Sequence, residues 1–224
     1  MFSFNNEFII QLILAGVSLL GLIPYFLAYK IGSGRKKTDS FQLPLTLYYI
    51  SSYPSFVWYI MPLLGQPRLS GVFNIQGQSL AFIIPYILVC GLAFIYFSMM
   101  WSGKTIKMNL TATKDTFYAP KKLLTTGIYG KVQHPMISGD MIAHFSFILL
   151  FGAFNTLVLY PLYIFYSWAI VEIQVKYSLE PYFKQELIEY RKKTPAYLDK
   201  QLGMVVVLLI VLMIINLYLQ INKF

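Results

Sequence analysis

Apolar residues along this chain gather into runs long enough to cross a bilayer, separated by short polar stretches. A transmembrane helix needs about 20 mostly apolar residues, and the pattern predicts spans near 8–29, 42–64, 79–101, 137–153, 155–172 and 203–221. The fourth and fifth are short. Only Gly152-Ala153-Phe154-Asn155 separates them, enough for the turn of a tight helical hairpin and too little for a domain. Segment 173–193 has a different pattern: Val175, Leu179, Phe183, Leu187 and Tyr190 recur at helical spacing, while Lys176, Glu180, Lys184, Glu186 and Glu189 occupy other faces. It predicts either an interfacial amphipathic helix or a cytoplasmic helix packed on the bundle. Segment 65–78, with glycine turn signals and Pro67, is expected to be irregular, and 102–136 to be a basic loop. The expected fold class is therefore all-α and integral to a membrane, with about six transmembrane helices including the short hairpin, plus the amphipathic helix.

Composition supports lipid as the solvent. The 224 residues are 57% hydrophobic and 12% charged, against about 25% charged in soluble proteins. The net charge of +9 does not point to nucleic acid, because the basic residues sit in short loops and form no basic face. Lys30, Arg35, Lys36 and Lys37 fall in one loop; Lys104, Lys107, Lys114, Lys121, Lys122 and Lys131 in a second; Lys176, Lys184, Arg191, Lys192, Lys193 and Lys200 in a third. These are alternate loops, and cytoplasmic loops collect Lys and Arg. The opposite side carries only Arg68 and Lys223, so both termini are expected to face away from the cytoplasm, with anionic membrane lipids as the partners of the basic loops. The first run, Phe8 to Tyr29, lacks the flanks of a secretory signal and reads as a retained anchor. Cys90 is the single cysteine, so an intrachain disulfide is ruled out.

Common cofactor motifs are missing. Gly32-Ser33-Gly34 lacks the strand and third glycine of a dinucleotide turn, Gly103-Lys104-Thr105 has Ser98 where a phosphate loop needs its first glycine, and no His or Cys pair has zinc spacing. The informative stretch runs from Leu123 through Thr125-Thr126-Gly127-Ile128-Tyr129-Gly130 and Val132-Gln133-His134-Pro135-Met136-Ile137 to Ser138-Gly139-Asp140. Thr-Thr-Gly and Tyr-Gly form turns that expose backbone N–H groups. Pro135 favours the first turn of the next helix, whose free N–H groups can hold a carboxylate or phosphate. His134 stands just before it, placed to donate a hydrogen bond or move a proton. The same residues also fit a polar re-entry loop with a capping histidine.

This run resembles the signature of the membrane methyltransferase superfamily that includes isoprenylcysteine carboxyl methyltransferase and phospholipid N-methyltransferases, approximately L-V-T-T-G-x-Y-x-x-V-R-H-P-x-Y-x-G. The second half of that signature is a helix with an acidic pair, an F-G-x-x-Y-x-x-Y run and a basic stretch ending in proline. Phe183, Tyr190, Arg191, Lys192, Lys193, Thr194 and Pro195 fall in that order. The resemblance covers about 121–198 and implies a core in which the hairpin and the following cytoplasmic helix enclose S-adenosylmethionine, with a lipid or small hydrophobic acceptor entering from the bilayer. Residues 1–120 would then supply the N-terminal helices and 199–224 an added helix. By position, Lys121, Lys122, Leu123 and Leu124 would line the cofactor, with Thr126, Gly127, Tyr129, His134, Pro135, Met136 and Ile137. Departures are Gln133 for the usual arginine, Ile137 for a tyrosine and Lys184 for a glycine. Gln174 stands near the acidic pair, where it can hydrogen-bond a ribose or amino group. Glu172 is the substitute carboxylate, and it equally fits a snorkelling interfacial glutamate. His134 and Glu172 are the candidate catalytic groups, and no metal is expected.

Asp140 and His144, four apart, share a helix face and are expected to form a buried pair that neutralises itself. Two rival functions remain. One is a membrane reductase using NADPH, since the carboxy-terminal region of sterol reductases resembles this fold and has a His-x-x-Tyr-x-Gly-Asp turn similar to Ser138-Gly139-Asp140. The other is a non-catalytic lipid-binding protein.

Overall fold

A computed structural model of the chain describes residues 6–32, 42–75, 79–112 and 122–221, and these are helical throughout apart from connecting turns and two isolated β-bridges. Helices α1 (Asn6–Leu20) and α2 (Leu22–Gly32) form one apolar rod. Next come α3 (Gln42–Ile60), closed by a 3₁₀ turn at Met61–Leu63, and α4 (Leu80–Ile95), which a π-helical turn at Tyr96–Trp101 joins to α5 (Ser102–Ala112). After a 3₁₀ turn at Gly127–Gly130 the hairpin pairs α6 (Pro135–Phe151) with α7 (Phe154–Gln174). A second π-helical turn at Val175–Leu179 leads into α8 (Glu180–Lys193), and α9 (Lys200–Ile221) ends the bundle. Among the described residues, four helical stretches are long and apolar enough to cross a membrane: Asn6–Gly32, Leu80–Ala112, Phe154–Lys193 and Lys200–Ile221. Their outward faces carry large apolar side chains such as Leu88, Leu92, Val207 and Ile214, each more than half exposed, as expected of a surface turned to lipid rather than water.

Two expectations need correction. Of the two readings of 173–193, the helix packed on the bundle is the one seen, with Val175, Leu187 and Tyr190 buried against Leu123 and Val171; it is not a separate interfacial helix, since it continues α7 in one 40-residue stretch. No glycine interrupts 173–180, and the wide turn at Val175–Leu179 falls where the Pro181 ring would otherwise meet the carbonyl four residues earlier. The break in α8 comes later, at Lys184 (φ 14°, ψ −97°), the position that the resembled signature gives to glycine. Likewise the first part of the basic loop, 102–112, is helical and prolongs α4.

Three clusters hold the bundle. Tyr86, Cys90, Trp101, Ile142, Leu149 and Leu209 join α4, α6 and α9. Ala15, Trp58, Met61, Leu159 and Tyr163 join α1, α3 and α7. Leu123, Val171, Val175, Leu187 and Tyr190 join the segment before α6 to α7 and α8. Between lipid-exposed helices apolar burial contributes little, so packing and buried hydrogen bonds set the arrangement. Examples are Tyr86 to the carbonyl of Leu149 (2.9 Å) and Tyr160 to that of Met141 (2.7 Å).

Segment 65–75 closes one end of the bundle. The Arg68 guanidinium donates to the carbonyls of Leu64 (2.6 Å) and Phe151 (3.2 Å), at the C-terminal ends of the α3 turn and of α6, where the helix dipoles are negative. Asn216 of α9 bonds both backbone groups of Ser70 (2.8 and 3.2 Å). Three elements expected on one side of the membrane by the charge pattern thus meet at one end, while the 122–134 segment and the end of α8 meet at the other.

Candidate functional site

The site forms where the segment before α6 is fastened to the end of α8. Thr126 is extended and Gly127 has a positive φ of 63°, which turns the chain into Gly127–Gly130. Strand-like pairing follows: the amide of Gln133 donates to the carbonyl of Pro195 (2.9 Å) and that of His134 to Ala196 (3.2 Å). The Gln133 side chain donates to the carbonyls of Thr194 and Arg191. The Tyr190 hydroxyl donates to the carbonyl of Tyr129 (2.6 Å). Parts of the chain 61 residues apart are therefore held as one unit, and a glutamine performs the fastening where the resembled family has arginine.

His134 is the N-cap of α6, with Pro135 in its first turn, and its ring lies over Tyr197 at 5.7 Å between centroids. Burial first, and the nearby Arg191 guanidinium second, pull its pKa down to about 4, so the imidazole is neutral at physiological pH. Tyr197 is pushed up by burial and then by the Glu172 carboxylate, with Arg191 opposing. Glu172 itself is exposed and lies near enough to bear on Tyr197. Beneath these groups Leu123 is buried, with Ile137, Phe183 and Tyr197 packed against the same cluster. The result is a neutral imidazole and an aromatic face over an apolar floor, flanked by the Glu172 carboxylate and by the Arg191 guanidinium, which lies 4.0 Å from the Glu180 carboxylate.

The remaining expected residues divide. Pro135 is buried and its carbonyl accepts from the Trp101 indole (2.6 Å). Tyr129 joins the site through its backbone, and its hydroxyl donates to Asn109, while burial raises its pKa to about 12. Met136 points outward. Lys122 and Leu124 line a cavity of about 400 Å³ against Lys107, Met108 and Thr111 of α5, and Thr126 and Gly127 are exposed. Lys121 lies outside the described residues. Gln174 is turned away from His134: its amide donates to the hydroxyls of Tyr25 (2.6 Å) and Tyr29 (3.2 Å) on α2.

Comparison of the chain with known protein families, curated proteins and solved structures returns no match. The site therefore rests on its own geometry.

Reading the motif alone missed Tyr197, Trp101 and the backbone of Thr194–Ala196. Trp101 explains Gly139, because a Cβ there would stand 2.3 Å from the indole Cδ1. Gly139→Ala is expected to displace Trp101 from Pro135 and cost about 1–3 kcal/mol, visible as a red-shifted tryptophan emission and a lower melting temperature.

The self-neutralising Asp140–His144 pair does not form. Asp140 accepts hydrogen bonds from the hydroxyls of Tyr59 and Tyr163, because those residues of α3 and α7 reach the carboxylate from outside α6, where an i, i+4 rule does not look.

Proposed function

We propose that the chain is a six-crossing membrane enzyme that transfers a methyl group from S-adenosylmethionine to a lipid-embedded or small hydrophobic acceptor. Its site would face the cytoplasm and both termini the opposite side, as the loop charges indicate. The observation that carries this reading is the fastening of the His134 turn to residues 190–197, which joins the two halves of the resembled signature into one site. The groups present fit the cofactor. Tyr197 offers a ring face to a sulfonium, exposed Glu172 offers a carboxylate, and Leu123 and Ile137 offer an apolar floor.

When bound, the cofactor would supply an electrophilic methyl group. His134, neutral and held at the helix start, orients a polar group by hydrogen bonding. Arg191 attracts a carboxylate, and Leu123 with Tyr197 excludes water. Alignment of this kind can supply up to about 7–11 kcal/mol of a barrier, so no covalent enzyme intermediate is required.

One observation favours the reductase as second reading: a half-buried carboxylate holding two tyrosine hydroxyls after Ser138-Gly139. Reduction by NADPH needs a proton as well as a hydride, and this cluster is an acid methyl transfer does not demand. Incubation of the purified protein in lipid with cofactor tritiated on its methyl group tests the first reading. Label extracted with the lipid or small hydrophobic fraction is expected. Label absent from every acceptor class supplied, together with oxidation of NADPH, would replace it with the reductase. Neither activity, with lipid still bound, would leave the non-catalytic protein.

A further inference from the structure

The polar cluster around Asp140 lies deeper in the bundle than the His134 turn, six residues along α6 or about 9 Å by helical rise. One turn further, His144 is 0% exposed and sits among four rings. Centroids of Tyr163, Tyr59, Tyr160 and Trp58 lie 4.4, 5.0, 6.0 and 6.2 Å from its own. Neither nitrogen of His144 has a hydrogen-bond partner, and the indole N–H of Trp58, also 0% exposed, has none. Buried polar atoms left unpaired are each costly. Three of them gathered in one aromatic enclosure beside a carboxylate mark a site for a ligand group.

The chemistry of that group follows from the inventory. A neutral imidazole presents one N–H and one lone pair, and the indole presents one N–H. Two N–H groups disfavour a cation, and the Asp140 carboxylate disfavours an anion. A hydroxyl brings one proton to donate and lone pairs to accept, the complement of the imidazole lone pair and the indole N–H; the other imidazole nitrogen points to the opposite side of the ring and is not reached by the same oxygen. The walls are aromatic, so a flat or ring-bearing body stacks against them. Asp140 and Tyr59 are only half-buried, and Phe56 and Ile60 beside them on α3 are exposed, which gives an approach from the apolar exterior.

We propose that the aromatic cluster of Trp58, Tyr59, His144 and Tyr163 between α3, α6 and α7, beside Asp140, binds the hydroxyl end of a hydrophobic ring compound. On the methyl-transfer reading this names the acceptor class and rests on that reading, but the binding itself needs no cofactor.

Tritiated 4-octylphenol and octylbenzene, which differ by one hydroxyl, are titrated against the protein in nanodiscs, with empty nanodiscs subtracted and no cofactor present. Octylphenol is expected to bind saturably and at least tenfold more tightly than octylbenzene. Trp58→Phe and His144→Phe should each weaken it tenfold or more, and if His144→Phe fails to fold, Trp58→Phe and the comparison of the two probes decide. Equal binding of the two probes, or octylphenol binding unchanged in Trp58→Phe, overturns the proposal. Failure of S-adenosylhomocysteine to bind while octylphenol still does would remove the cofactor reading and leave this site standing.

Discussion

Gly152→Ala is expected to destabilise the protein by about 2–5 kcal/mol. Gly152 ends α6 in the left-handed region (φ 61°, ψ 33°), which costs an L side chain about 1–2 kcal/mol. A Cβ there would also stand 2.3 Å from the carbonyl oxygen of Leu69 and 2.8 Å from its carbon. Those are backbone atoms, so relief means moving the chain, and the overpacking adds about 1–3 kcal/mol. The move would pull apart the bonds that fix segment 65–75 on the hairpin: Leu69 amide to Gly152 (2.8 Å), Val72 amide to Leu150 (2.9 Å) and Phe154 amide to Pro67 (3.2 Å). Against a total stability of about 5–15 kcal/mol, the variant should melt many degrees lower in detergent. Gly16→Ala is the control. It lies inside α1 with nothing within 4 Å of the added carbon, and should be neutral or slightly stabilising. Equal melting of the two variants would contradict the tight hairpin clamp.

His134→Ala is expected to weaken S-adenosylhomocysteine binding by tenfold or more and to abolish methyl transfer, without lowering the melting temperature as Gly152→Ala does. Only the ring is lost, because the hydrogen bonds that fasten this turn use the backbone of His134 and the side chain of Gln133. The protonation state gives a second readout. With its pKa near 4, His134 stays neutral as pH falls from 8 to about 5, so binding that needs the neutral ring should be flat over that range and decline only as pH approaches 4. A histidine with the ordinary value of about 6.5 would impose a fall across pH 6.5. Such a fall, lost in His134→Ala, would mean that the ring is solvated and not enclosed beneath Tyr197.

The sequence made the long apolar runs and the His134 turn readable because each is a local property of consecutive residues. All six expected spans correspond to helices, yet α5 was hidden. Its polar, lysine-bearing residues have the composition of a loop, and only their continuity with α4 keeps them helical. The continuity of α7 with α8 was hidden for a similar reason, since periodicity reveals a face but not where a helix joins its neighbour. Residues 194–196 hold the site through carbonyl oxygens, which carry no side-chain signal. Asp140 shows the limit most clearly. Spacing along α6 offered His144 as its partner, whereas Tyr59 and Tyr163, 81 and 23 residues away, take the carboxylate. Gln174 was placed by alignment with an acidic pair, but α2 supplies two tyrosine hydroxyls on the other flank of α7 and draws it there.

Calorimetric titration of the detergent-purified protein with S-adenosylhomocysteine, beside NADPH, tests the central claim most directly. Saturable micromolar binding of S-adenosylhomocysteine, lost in His134→Ala, is the predicted result. Binding of NADPH alone, or of neither nucleotide, would contradict it.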